Sequence, residues 1–210
     1  FDMKEQALPL LKRMNYLATV NAQDVPLGAT PPGDWDFSMQ QSVRDFENFP
    51  VVPRRKFVNS FSNPDPIVRS AIFDLFIDRP ALFWSTPTDG QLFTKGIDEF
   101  NVVADRMNAI PGDLEWRGLG DVLRRLHKQK VNDDGSIDVK MCCNHLIFTN
   151  EDSTERTYHV LKEETENVPI RRVTVSGAEV PYRLVDGFIV IDLQVPAHSE
   201  VEILVEYGGE

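Results

Sequence analysis

The chain has 210 residues, 41% of them hydrophobic, which is enough to bury a sizeable core as one large domain or two small ones and excludes disorder as the default. A formal net charge of -11 argues against a surface that tracks nucleic-acid phosphates, and the basic runs Arg54-Arg55-Lys56 and Arg124-Arg125 are too short to reverse that balance. No apolar run approaches a membrane span, and the opening FDMKEQ is not a signal peptide, so the sequence does not choose between a cytoplasmic and a cell-envelope-associated location. A full translation product begins with Met, so Phe1 implies either processing or further residues upstream.

The stretch LPLLKRMNYLATVN, residues 8–21, reads as a short amphipathic helix, a corner and a strand. Met3, Ala7, Leu10, Leu11 and Met14 fall on one face at helical spacing and mark the expected core side. Pro9 is tolerated only in a first turn, which puts the helix start near Ala7, and Asn15 can take the left-handed conformation that closes a helix. YLATV then runs apolar without alternation, the pattern of a strand covered on both faces, as in a parallel sheet flanked by helices. The unit recurs as a helix over residues 66–76 followed by a strand over 81–85. It recurs again where Ile97, Phe100, Val103, Ala104 and Met107 form a helical stripe ahead of a short strand at 114–116. Between the first two units lies VPLGATPPGDWDFSMQQSVRDFENFPVVPRRKF, a long segment of low regularity that reads as a binding loop.

After a helix over 119–126 the pattern changes to short strands and turns, with the boundary at residues 127–130. NDDGS reads as a turn. SIDVKM, HLIFTN, ERTYHVLK, IRRVTV, EVPYRLV, GFIVIDL and EVEILVEY read as strands whose spacing suits an antiparallel β-sandwich over 130–210. VSGAE and VDGF have the composition of tight hairpin turns. Cys142 and Cys143 fall together on a predicted strand, where alternation sends them to opposite faces, so they read as buried structural thiols and neither a disulfide nor a metal site.

LPLLKRMNYLATVN resembles the helix–strand unit of the polysaccharide deacetylase (NodB-homology) family. RPALFWSTPTDGQLF resembles that family's late barrel strand, and GIDEFNVVADRMNAIPGDLEWRGLGDVLRR its terminal helix and completing strand. Residues from 130 onward are similar to β-sandwich modules appended to carbohydrate-active enzymes. The resemblance implies α/β plus all-β architecture, with a partial or distorted (β/α) barrel over 1–127. It also implies deacetylation of an acetylated polysaccharide, in which a divalent metal such as zinc, held by an Asp and two His, polarises the acetyl carbonyl and activates water. The first 126 residues contain no histidine, and FWST places Thr86 about where the family carries a late His. Thr cannot serve as a general acid near neutral pH. The expectation is therefore a chain with no catalytic or metal residues of its own, acting within such an enzyme or as a non-catalytic carbohydrate-binding or assembly protein.

Candidate ligand residues follow the strand ends. Asn21 and Asp24 lie just beyond the first strand, where barrel proteins collect functional groups, and a simple cap and turn would explain them equally. Trp35 and Trp84 offer aromatic surface to the axial C–H face of a sugar, with core packing the competing reading, stronger for Trp84. Thr86 and Asp89 follow the late strand. Asp34, Asp89 and Glu99 supply a conceivable carboxylate pair for glycoside hydrolysis, but with 33 acidic residues such pairs arise by chance, and Asp98 and Glu99 suit the first turn of their helix. The four histidines, His127, His145, His159 and His198, lie at or after the boundary; pairing of the strands bearing His145 and His159 would bring these two near Cys143, at a spacing that matches no compact zinc motif.

Overall fold

The structure is a computed structural model and describes residues 8–21, 44–46, 49–53, 55–56, 64–76, 80–84, 98–112, 114–164 and 169–208. It is mixed helix and sheet, with strand predominating. Helix α1 (Leu8–Arg13) ends where Asn15 takes a φ of 57°, the left-handed closure expected of it. Its burial reverses the expectation. Leu10 and Met14, placed on the core face by helical spacing, are 57% and 58% exposed, whereas Lys12 is 2% exposed.

Strand β1 (Thr19–Asn21) runs parallel to β3 (Phe49–Pro53), and β2 (Arg44–Phe46) pairs with β3 antiparallel. Strand β4 (Arg55–Lys56) runs parallel to β5 (Phe83–Trp84). The segment read as one irregular loop thus supplies three strands, one of which completes a parallel pair with β1. The strands among the described residues of this part form a three-stranded sheet and a two-stranded ladder, and no closed barrel is present among them. Helix α2 (Asp65–Phe76) packs on α3 (Asp98–Asn108) through Ile67, Ala71, Val103 and Met107, with Ala81, Phe83 and Leu114 alongside. Residues 114–118 have no regular secondary structure, which corrects the strand expected at 114–116.

Helix α4 (Leu119–Arg125) leads directly into β6 (His127–Val131), so the stretch read as a boundary is itself a strand. HKQKV has no apolar alternation to announce it. It is an edge strand carrying Lys128 and Lys130, a composition that discourages pairing with other chains. The strands that follow are β7 (Ile137–Met141), β8 (His145–Thr149), β9 (Arg156–Glu163), β10 (Ile170–Val175), β11 (Ala178–Glu179), β12 (Arg183–Val185), β13 (Phe188–Val195) and β14 (Glu200–Tyr207). They form a five-stranded sheet, β12-β13-β9-β7-β6, and a four-stranded sheet, β11-β10-β14-β8. The larger sheet is mixed, because β7 and β9 run parallel, where an all-antiparallel arrangement was expected.

One core cluster draws on both sheets, a sandwich-like arrangement: Val139, Tyr158, Val160, Ile189 and Ile191 from one, Leu146, Phe148, Val173, Ile203 and Val205 from the other. The cause is the period-2 pattern of the strands. In β14, Val201, Ile203, Val205 and Tyr207 point inward and Glu200 and Glu202 point to solvent. Each such apolar side chain contributes about 1.5–3 kcal/mol on full burial. The turn between β12 and β13 has Asp186 and Gly187 at φ of 49° and 81°, and that between β10 and β11 has Ser176 and Gly177 at 48° and 83°. Two successive positive φ values define the turn whose twist matches paired strands, as VDGF and VSGAE foretold.

Asn150 ties two loops to this core. Its backbone N–H donates to Ser199, its amide nitrogen lies 3.0 Å from the carbonyls of Thr154, Val195 and Pro196, and its amide oxygen accepts from the Asp152 N–H at 3.1 Å and the Tyr158 hydroxyl at 3.2 Å. The helical part meets the sandwich at Leu123, which packs with Leu17, Ala18, Leu82, Leu126 and Cys142. The cysteines lie in a bend between β7 and β8 and not on a strand. Neither is in a disulfide; Cys143 is buried and its thiol donates to the Leu123 carbonyl at 3.4 Å.

Candidate functional site

An aromatic side chain left in solvent despite its hydrophobic surface is a candidate for ligand contact, and Trp116 is 67% exposed. Local sequence explains how it is held. The chain leaves α3 through Pro111 and Gly112, the latter at a φ of 142° that glycine alone adopts readily, and residues 114–117, without regular secondary structure, lead to an extended Gly118, the residue that precedes α4. Over this span Leu114 packs into the α2–α3 core while Trp116 stays outside. Its indole N–H donates to Asn108 Oδ1 at 2.7 Å, tying the ring edge to the last residue of α3.

Charged neighbours brace the same segment. The Arg117 guanidinium bonds Glu115 and lies 2.9 Å from Asp121 Oδ2 in the first turn of α4. Arg125, one turn further on, faces Asp121 at 3.6 Å and bonds Glu200 of β14 at 2.9 Å. The Arg117 hydrogen bond holds the Asp121 carboxyl below its ordinary range, and Asp121 in turn raises Arg117. These pairs are solvent-exposed, so their main consequence is geometric, a chain of contacts from the Trp116 segment along α4 to the sandwich. A ring with its polar edge occupied presents apolar and π surface, the chemistry that suits the C–H face of a sugar.

Of the residues singled out from sequence, Asn21, Trp84 and Glu99 fall on described elements. Asn21 ends β1, opposite Pro53 of β3, at the C-terminal end of a parallel strand as expected. Trp84 ends β5, opposite Lys56 of β4, and is half-buried. Asp24, Asp34, Trp35, Thr86 and Asp89 lie outside the described residues, and of Glu99 only its position in α3 is described. The sequence pattern does not single out Trp116, because its segment reads as a short strand. The signal available was a tryptophan flanked by Glu115 and Arg117 and followed by Gly118, a polar setting for so large a ring.

The histidines are held apart by topology. His145 lies on β8, in the four-stranded sheet, with Nε2 2.6 Å from Glu202; His159 lies on β9, in the five-stranded sheet, with Nδ1 2.7 Å from Asp192, which Arg183 also bonds at 2.7 Å. The pairing of their two strands considered from sequence does not occur. The His159 hydrogen bond is the main cause that lowers the Asp192 carboxyl. Burial lowers His127, partly offset by the hydrogen bond its Nδ1 donates to the Arg125 carbonyl at 2.9 Å. His198 sits in the turn before β14 at a φ of 52°. No group of three or more His, Cys, Asp or Glu side chains suited to a metal ion occurs among the described residues. No helix among the described residues is long and apolar enough to cross a membrane. No family model, curated protein or solved structure matches the chain.

Proposed function

We propose that this chain is part of a carbohydrate-active protein similar to the metal-dependent polysaccharide deacetylases, and that these residues contribute a glycan-binding surface instead of the catalytic centre. The observation that carries the reading is Trp116, two-thirds exposed and fixed through its N–H to Asn108. Parallel pairing of β1 with β3 and of β4 with β5 is compatible with the barrel-like part of the reading. In this reading a divalent metal such as zinc, and the His and Asp ligands that hold it, belong to a part of the enzyme other than the residues described. The chain's own role is to hold an acetylated polysaccharide against aromatic surface, with Trp116 as the described platform. The same observation favours the non-catalytic carbohydrate-binding form of the reading over an assembly role, because a braced aromatic suits a sugar ring.

The test is retention of the purified chain on gels cast with acetylated xylan or with soluble acetylated chitin, alongside acetate release with and without a chelator. Retention without acetate release is the expected result. Acetate release that a chelator abolishes would move catalysis into this chain, and the absence of retention on every glycan would remove the carbohydrate reading.

A further inference from the structure

Helix α1 buries a charged side chain. Leu10, Met14 and Tyr16 are exposed while Lys12 is buried, and a lysine goes inside only where a partner receives its charge. That partner is Glu164, just after β9 and 152 residues away in the chain, whose Oε1 lies 2.7 Å from Lys12 Nζ. The second carboxylate oxygen takes Lys162 Nζ at 3.4 Å and the Tyr207 hydroxyl. Both ammonium groups also lie near the Tyr207 ring, at 5.3 and 5.4 Å from its centroid, within cation–π reach. The four side chains come from α1, β9, the residue after β9 and the last residue of β14, and all are nearly inaccessible to water. Burial pushes the Glu164 carboxyl up, but Lys162, the Lys12 and Tyr207 hydrogen bonds and the Lys12 charge outweigh it, leaving the group below its ordinary range.

We propose that Lys12 is a bolt that locks the N-terminal helix to the sandwich, so that the sandwich fixes α1 and, through the Tyr16–Ala18 corner, the β1 strand end carrying Asn21. Position matters here more than energy. A desolvated ion pair adds little net stability compared with an apolar replacement, but displacing Lys12 would take from Glu164 Oε1 its 2.7 Å partner and leave Lys162 alone to balance the buried carboxylate. Leu17 and Ala18, packed with Leu123 of α4 and Cys142 of the β7–β8 bend, continue the contact from the bolt toward β1. The sandwich is then part of the scaffold that positions the first strand end and not a separable appendage. This inference is independent of the glycan reading.

Hydrogen exchange followed by mass spectrometry on the full chain tests it, comparing the parent with Lys12→Met and Tyr207→Phe. The second variant keeps the ring and removes one hydrogen bond, so it remains informative if the first folds poorly. The expected result is faster exchange over residues 8–21, roughly tenfold or more for Lys12→Met and less for Tyr207→Phe, with β7 and β13 unchanged. Unchanged exchange over 8–21 in both variants would overturn the proposal. So would acceleration spread evenly across the sandwich, which would mark the cluster as ordinary core.

Discussion

Replacing Asn150 with alanine removes a buried polar side chain with hydrogen bonds to five partners. Asn150 is 0% exposed, and its amide nitrogen has three carbonyls at 3.0 Å but only two hydrogens, so at most two full bonds form there at once. Its amide oxygen accepts two more, from Asp152 and Tyr158. Of these contacts, those with the Val195 carbonyl and the Tyr158 hydroxyl are buried; the others lie where water can replace the lost partner. Each buried group left unsatisfied costs about 1–3 kcal/mol, and each rehydrated one about 0.5 kcal/mol, for a total of roughly 3–7 kcal/mol. Equilibrium urea unfolding would read this as a lower midpoint at unchanged slope. Thr157→Ala, which removes an exposed contact to Gln194, serves as the control and should change stability by less than about 0.5 kcal/mol. A loss below about 1 kcal/mol for Asn150→Ala would refute the view that this residue fastens the two loops to the core.

Ile203→Ala, at a site with no exposure between the sheets, should cost about 2–5 kcal/mol in the same assay. Gly187→Ala forces a left-handed φ on a residue with a Cβ and should cost about 1 kcal/mol, although the space around that Cβ is open enough to accept it. Stability should fall on acidification in two steps. His127 is lowered in the folded state, so its contribution is complete above its unfolded value of about 6.5 and is lost as pH falls through the lower folded value. Glu164 and Asp192 are also lowered, so their contributions persist until pH drops through the carboxylate range, below about 4.3 and 3.9 respectively. Urea midpoints across pH 3–8 measure both steps, and His127→Gln should abolish only the upper one.

The sandwich was legible where strands alternate. GFIVIDL and EVEILVEY give inward and outward sets directly, and the glycine turns fix their ends. Strand β6 was not, because HKQKV is an edge strand whose pairing with β7 comes from backbone hydrogen bonds and not from buried side chains. Nor does any local pattern announce that β7 lies parallel to β9, since the two are separated by β8, which belongs to the other sheet. Helix α1 shows a different limit. Helical spacing put Leu10 and Met14 on the core side, but both are exposed, and a partner 152 residues away draws Lys12 inside. Trp116 was legible as a large aromatic and illegible as a platform, because exposure depends on the course set by Gly112 and Leu114.

Isothermal titration of the purified chain with acetylated oligosaccharides, comparing the parent with Trp116→Phe and Trp116→Ala, tests the glycan-binding claim most directly. Base–aromatic stacking on proteins is worth about 1–3 kcal/mol per ring, and a loss of similar order is expected for a sugar on Trp116→Ala, about tenfold or more in affinity. Trp116→Phe should retain most of the binding, because it keeps an aromatic face although it loses the tie to Asn108. Equal affinity in all three proteins, or no heat of binding in the parent, would contradict the assignment of Trp116 as the platform.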